Sequence, residues 1–433
     1  MEKQWDELFG EEFFISATNE ERKYLGLNPI TDNWDITQFF SKTNLWYSRT
    51  TVFLDGEIIK KIIVEEKKLL QDNAKPVFHS IQESDTNLQT ENREYILPLT
   101  KKGKPKKISA STINAINPFG CSFYFSLELG QKVSTHMAIY NRRNNLSIAI
   151  GEKERTEKIQ NDTDFHEFMK YYMASCPTDY FPRIERLRKS KHKTVMYHTG
   201  DLFRIEIDRF HYSYGLITGQ VNNIRKWKEL PENHSLRELM MVPIMVRYYE
   251  LVTTDSGLSA DELSAYPLSR VDICGDNEII WGTHTIVDHK DLVLQDIEFN
   301  LVCNKIQELN PHATVYTYDM LASDGIITSP PTHMLYVEWG TATTFFPYEN
   351  LSQRMLNYMK EYRSPHGGVS MTISPDNIAQ ETFNFKNNLL NKENSEIKSE
   401  LFRCLGLPID AGFDDFAEKF GGLSKKKILL KEL

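Results

Sequence analysis

Residues 199–221 read TGDLFRIEIDRFHYSYGLITGQV. Phe203, Ile205 and Ile207 alternate with Arg204, Glu206 and Asp208, the period-two pattern of a strand with one buried face. Tyr212, Tyr214 and Leu216 form a second alternating run that carries Gly215 and leads to Gly219. A glycine inside a strand marks a bulge or the close approach of another segment. Gly200-Asp201 suits a turn that launches the first strand. The stretch predicts antiparallel pairing of 202–208 with 212–218, and so a β-rich middle to the chain.

Toward the C-terminus the same character continues. An apolar strand is predicted at 241–253, another at 271–274, then a turn at Gly275-Asp276-Asn277 and a strand at 278–281. Ser259 and Glu262 have capping-box spacing, which places a short helix at 259–265. This succession, from the Gly-Asp turn through the glycine-bearing aromatic strand, resembles the immunity protein 26 family of bacterial polymorphic-toxin systems. The resemblance covers about residues 194–300. It implies a protein that binds and neutralises a toxin, and it brings no catalytic signature with it.

The flanks are read from pattern alone. Trp5, Leu8 and Phe9 share one helical face, which Phe13 extends. A turn of helix follows before the stops Gly26 and Pro29. Residues 45–54 and 57–66 flank Asp55-Gly56, a pair favoured in two-residue hairpin turns. Residues 71–93 are polar and read as loop. Strands are predicted at 94–100, 121–129 and 146–150, and a helix at 163–174, where Phe165, Phe168, Met169 and Tyr172 recur at helical spacing. The basic stretches 101–107 and 183–193 read as solvated segments. Beyond 300 the pattern turns α/β: a helix at 301–309, a strand at 313–318, one long aromatic strand at 333–346 and a helix at about 350–362. Further helices are expected from Ser374-Pro375, at 396–405 and at 414–420, before an exposed lysine-rich tail. The fold class expected is α+β. A β-rich N-terminal region spans 1–187, a β-rich domain like that family spans 194–300, and an α/β to helical region spans 301–433.

The 433 residues carry a formal charge of -9, which disfavours a general nucleic-acid binder and suits a basic protein partner. Five widely separated cysteines, Cys121, Cys176, Cys274, Cys303 and Cys404, read as free thiols in a reducing compartment. No stretch has the apolar length of a signal peptide or a membrane span, so the expected location is the cytoplasm.

Glycine-rich phosphate loops, a nucleophile elbow and a His-Glu-x-x-His motif are all lacking. One cluster, His284, Asp288, His289 and Asp291, has ligand chemistry suited to zinc or manganese. On a strand, however, these four divide between two faces, leaving two ligands on each. Names given to the family sometimes couple it with a phosphotriesterase label, which keeps a metal-dependent hydrolase as the alternative function. Trp281, Tyr212 and Tyr214 have the chemistry of interface anchors, or of core fillers, and Glu206 and Asp208 offer acidic contacts. The leading expectation is stoichiometric occlusion of a cognate toxin, with no cofactor, no membrane and no nucleic acid.

Overall fold

In the computed structural model the described residues are 8–10, 12–70, 76–98, 101–116, 120–129, 133–150, 153–228, 242–305, 334–347, 352–361 and 388–432. They form an α+β protein of two compact units. The first comprises Met1–Lys193 with Ile207–Phe210, and the second Thr194–Glu206 with His211–Leu433.

The first unit is built on a nine-stranded antiparallel sheet. Its strands are β1 (Asp35–Thr43), β2 (Trp46–Asp55), β3 (Ile58–Leu69), β4 (Pro76–Glu91), β5 (Tyr95–Ile96), β6 (Lys106–Lys107), β7 (Cys121–Leu129), β8 (Val133–Asn141) and β9 (Leu146–Ile148). The main path runs β1-β2-β3-β4-β7-β8-β9, with β5 and β6 attached to β4. The expected hairpin joins β2 to β3, but Asp55 pairs with Ile58, so the turn falls one residue later, at Gly56-Glu57. The helix Asp162–Ala174, capped by Asn161, buries Phe165, Phe168, Met169 and Tyr172, as its spacing required. With the helix Tyr180–Lys189 it covers one face of the sheet. The helix Asn19–Tyr24 starts from a Thr18–Glu21 capping box. The proposed helical face through Trp5 lies partly outside the described residues.

The region read as loop, 71–93, instead holds β4, the longest strand of the sheet. The charged side chains His79, Glu83 and Asp85 of this strand are buried and paired. The Lys61 amine lies 2.6 Å from Glu83 Oε1 and 2.7 Å from Asp85 Oδ1, and Arg22 Nε donates to Glu83 over 2.7 Å. Burial pushes the Glu83 carboxyl up, but the charges and hydrogen bonds of Lys61 and Arg22 outweigh it and hold the group below its ordinary range. A second buried set joins Arg49 to Glu65 at 2.5 Å and Glu65 to His79 at 2.6 Å. Phe14 stacks on the His79 ring at 3.4 Å. Removing one partner from such a set strands a charge in the interior, at about 3–5 kcal/mol.

The second unit contains a five-stranded antiparallel sheet in the order β13-β12-β11-β10-β14. These are β10 (Asp201–Glu206), β11 (Tyr212–Gln220), β12 (Pro243–Tyr248), β13 (Asp272–Gly275) and β14 (Thr285–His289). The predicted pairing of the central hairpin is present, with Leu202 opposite Leu216 and Glu206 opposite Tyr212. Residues 278–281 were expected as strand; the helix Asn277–Ile280 stands there, with Trp281 as its C-terminal cap. A further sheet joins β15 (Leu301–Lys305), β16 (Met334–Trp339) and β17 (Ala342–Pro347). Residues 301–305 are therefore strand where helix was expected, and the long aromatic strand is a hairpin that turns at Gly340-Thr341. The helices Gln353–Glu361, Ser395–Cys404 and Phe413–Lys419 follow as predicted. The lysine-rich end is the helix Lys425–Glu432, and it is docked by the fully buried Ile428. The predicted strand 313–318 and the helix start at Ser374 lie outside the described residues. No described helix is long and apolar enough to cross a membrane.

Acid should loosen the first unit through His79. Burial pushes the His79 imidazole from 6.5 down to about 4, against the pull of Glu65. Between those values the unfolded chain takes up a proton that the folded chain refuses, so stability falls as pH drops from about 6.5 toward 4, by up to about 3 kcal/mol. Urea unfolding of wild type and His79→Gln across this range checks it: the variant should lose most of that slope.

Candidate functional site

The Gly-Asp turn and the end of β14 form one corner of the five-stranded sheet. Gly200 sits at φ +96°, a conformation that other residues rarely adopt. A side-chain carbon there would lie 2.5 Å from the Lys290 carbonyl and 2.7 Å from the His289 ring. The bare backbone lets Lys290 N donate to the Gly200 carbonyl at 2.9 Å. Asp201 is buried beside it, and its two carboxylate oxygens reach in different directions. Oδ2 accepts from His198 N at 2.7 Å, and Oδ1 lies 2.9 Å from His289 Nδ1. The His289 side chain is half exposed, with Nε2 3.9 Å from the exposed Asp291 carboxylate. A buried carboxylate therefore fixes the ring while one edge faces solvent, ready to exchange hydrogen bonds with a bound molecule.

The other candidates separate. His284 is buried with its ring stacked on Phe203, centroids 6.2 Å apart. Asp288 Oδ2 accepts from Ala260 N at 2.7 Å, at the start of the short helix Ala260–Leu263, whose capping box is the predicted one. Hydrogen bonds from the Ala260 and His289 amides hold its carboxyl below the ordinary range. His284, Asp288 and His289 thus serve three different neighbourhoods. Among the described residues no three His, Cys, Asp or Glu side chains are grouped to hold a metal ion. The Cys121 and Cys274 thiols are also far from an activated state: burial pushes Cys121 up to about 12 and Cys274 well above its ordinary value.

The aromatic candidates divide in the same way. Tyr214 is fully buried, and its hydroxyl donates to the Asp255 carbonyl at 2.8 Å. Tyr212 is buried under the Arg204 guanidinium, which lies 4.9 Å from its ring centre. Both rings belong to the interior and are withdrawn from a partner's reach. Trp281, Glu206 and Asp208 are half-buried and keep accessible surface. Asp208 also accepts from Phe210 N at 2.7 Å.

Two contributions were not legible as such in the sequence. Asp201 was read only as a turn residue, although its spacing from His198 allowed a side-chain cap. Arg247, within an otherwise apolar strand, donates to the carbonyls of Ser269, Gln295 and Leu268 and fastens β12 to the segments that follow it. Gly215 proved to be a close-approach site. The Phe203 ring of the opposite strand lies over it, so a side-chain carbon would meet that ring at 2.3 Å.

The class defined by these observations is an α+β protein whose second unit presents a polar corner at the edge of an antiparallel sheet. Within it, residues 198–311 match the family model of immunity protein 26, the family that the sequence pattern resembled. The match contains β10 to β15 and the whole Gly200–Asp201–His289 corner. No curated protein and no solved structure matches the chain.

Two substitutions test the construction of the corner. Gly215→Val should destabilise the second unit by about 1–3 kcal/mol through overpacking against Phe203. Gly200→Ala should also lower its melting temperature, through strain and the clash with Lys290. Thermal unfolding followed by tryptophan fluorescence reads both, and an unchanged transition in either would show that its neighbour yields without strain.

Proposed function

We propose that the protein neutralises a toxin protein by binding it in a stoichiometric complex, with the second unit supplying the contact surface. The observation that carries this reading is the family match over residues 198–311. The corner built there supports it. His289 is oriented by a buried carboxylate, as a contact side chain should be to avoid loss of freedom on binding. Trp281 is half-exposed on the turn just before β14. Acidic side chains outnumber basic ones across residues 194–300, which favours fast association with a basic partner. The proposed setting is the cytoplasm, where free thiols persist.

The alternative, a metal-dependent hydrolase, requires ligands to converge, and the described candidates serve separate structural roles. Dose separates the two readings. Co-expression with a toxin encoded nearby should rescue growth, and protection should end once toxin exceeds the protein in molar amount. Trp281→Ala and Glu206→Lys should weaken the complex by about 2 kcal/mol at a central contact and less at the rim, while leaving the melting temperature near wild type. Inactivation of excess toxin by catalytic amounts of the protein would replace occlusion with turnover.

A further inference from the structure

The strand β1 is a long, regular sheet edge. It pairs with β2 through nine consecutive positions without a register shift, and among the described residues no strand stands on its other side. Natural edges are shielded by shortness, bulges, proline or inward charges, because free backbone groups template further pairing. The opposite edge, β9, has three residues and so is protected by its length. β1 has none of these devices between Ile36 and Ser41. It also exposes two large apolar side chains on one face: Ile36 is 59% exposed, and Phe40, whose ring lies 6.4 Å from that of Phe9, is 40% exposed. That face is continuous with the core, since Ile36 lies opposite the buried Phe53.

We propose that β1 is a self-association site, at which two copies of the chain join their nine-stranded sheets edge to edge. The argument is the symmetry of the strand. An antiparallel pair formed around a two-fold axis must place side chains of one face against each other, so the axis falls on a residue and the paired positions share parity. With the axis on Gln38, Ile36 meets Phe40 of the second copy and Phe40 meets its Ile36. Each copy thereby covers the exposed parts of both side chains of the other. On the opposite face Thr37 meets Phe39 and Asp35 meets Ser41, so no like charges oppose. A strand from an unrelated protein would need this pattern by coincidence, whereas the chain carries it in its own sequence. A single strand pair falls at the small end of interface sizes, below about 1,200 Å², so the dimer should be reversible and form at micromolar concentration or above.

Sedimentation velocity of the full chain over two decades of concentration tests the proposal. The wild-type protein should shift from monomer to dimer, whereas Ile36→Lys and Phe40→Glu should remain monomeric, Ile36→Lys with an unchanged melting temperature. Ile409→Lys, at an exposed apolar position of the second unit, should dimerise like wild type. The register has its own readout. Residues on the axis approach to about 4.5–5.5 Å between Cα atoms, within disulfide reach. Gln38→Cys should therefore cross-link under mild oxidation far more than Asp35→Cys. A wild-type chain that stays monomeric throughout would overturn the proposal. So would a dimer that survives both β1 charge substitutions, or one in which Asp35→Cys cross-links as well as Gln38→Cys.

Discussion

The second unit depends on a contact made possible by a missing side chain. At Gly200 the backbone of one segment passes so close to His289 and Lys290 that no other residue fits. That approach sets β14 beside β10, and β14 carries or adjoins every residue of the polar corner. Asp201 completes the joint. Its carboxylate is shared between the turn that precedes β10 and the imidazole at the end of β14. A two-residue motif therefore performs three tasks: it turns the chain, closes the sheet edge and orients the side chain that faces solvent.

The first unit solves a different problem with the opposite chemistry. Its long β4 strand is filled with polar and charged side chains, and the interior accepts them because each major charge finds a partner. Lys61 is held between Glu83 and Asp85, and Arg22 closes on Glu83 from the helix Asn19–Tyr24. Such a network ties β3, β4 and that helix into one arrangement, because a shift of any one member would leave a buried charge without its counterion. Hydrophobic packing by Phe123, Phe125, Phe165 and Tyr172 then acts on a sheet whose register is already restricted.

These two devices explain what could be read from sequence. The hairpin β10–β11, the capped helix at Ser259 and the aromatic stripe of Asp162–Ala174 follow local rules of period and capping, and they stand where those rules put them. β4 was illegible because its buried face is ionic, and its partners lie distant in sequence, at Arg22 and Lys61. Residues 278–281 have β-prone apolar character, but the Asp276 carbonyl accepts the Ile279 and Ile280 amides and closes a helical turn. Residues 301–305 show a helical distribution of apolar side chains, yet pairing with β16 buries Leu301 and Cys303, two residues apart on one strand face. The corner was half legible. Its Gly-Asp turn and its histidine were both noticed, but the join between them spans 88 residues and only folding brings it about.

Occlusion by the second unit makes a spatial claim, and hydrogen exchange of the protein alone and with its toxin tests it most directly. The account predicts new protection concentrated in residues 198–206 and 281–291, around Asp201, Trp281 and His289, at equimolar toxin. A stable complex whose new protection falls wholly outside residues 198–311 would contradict it.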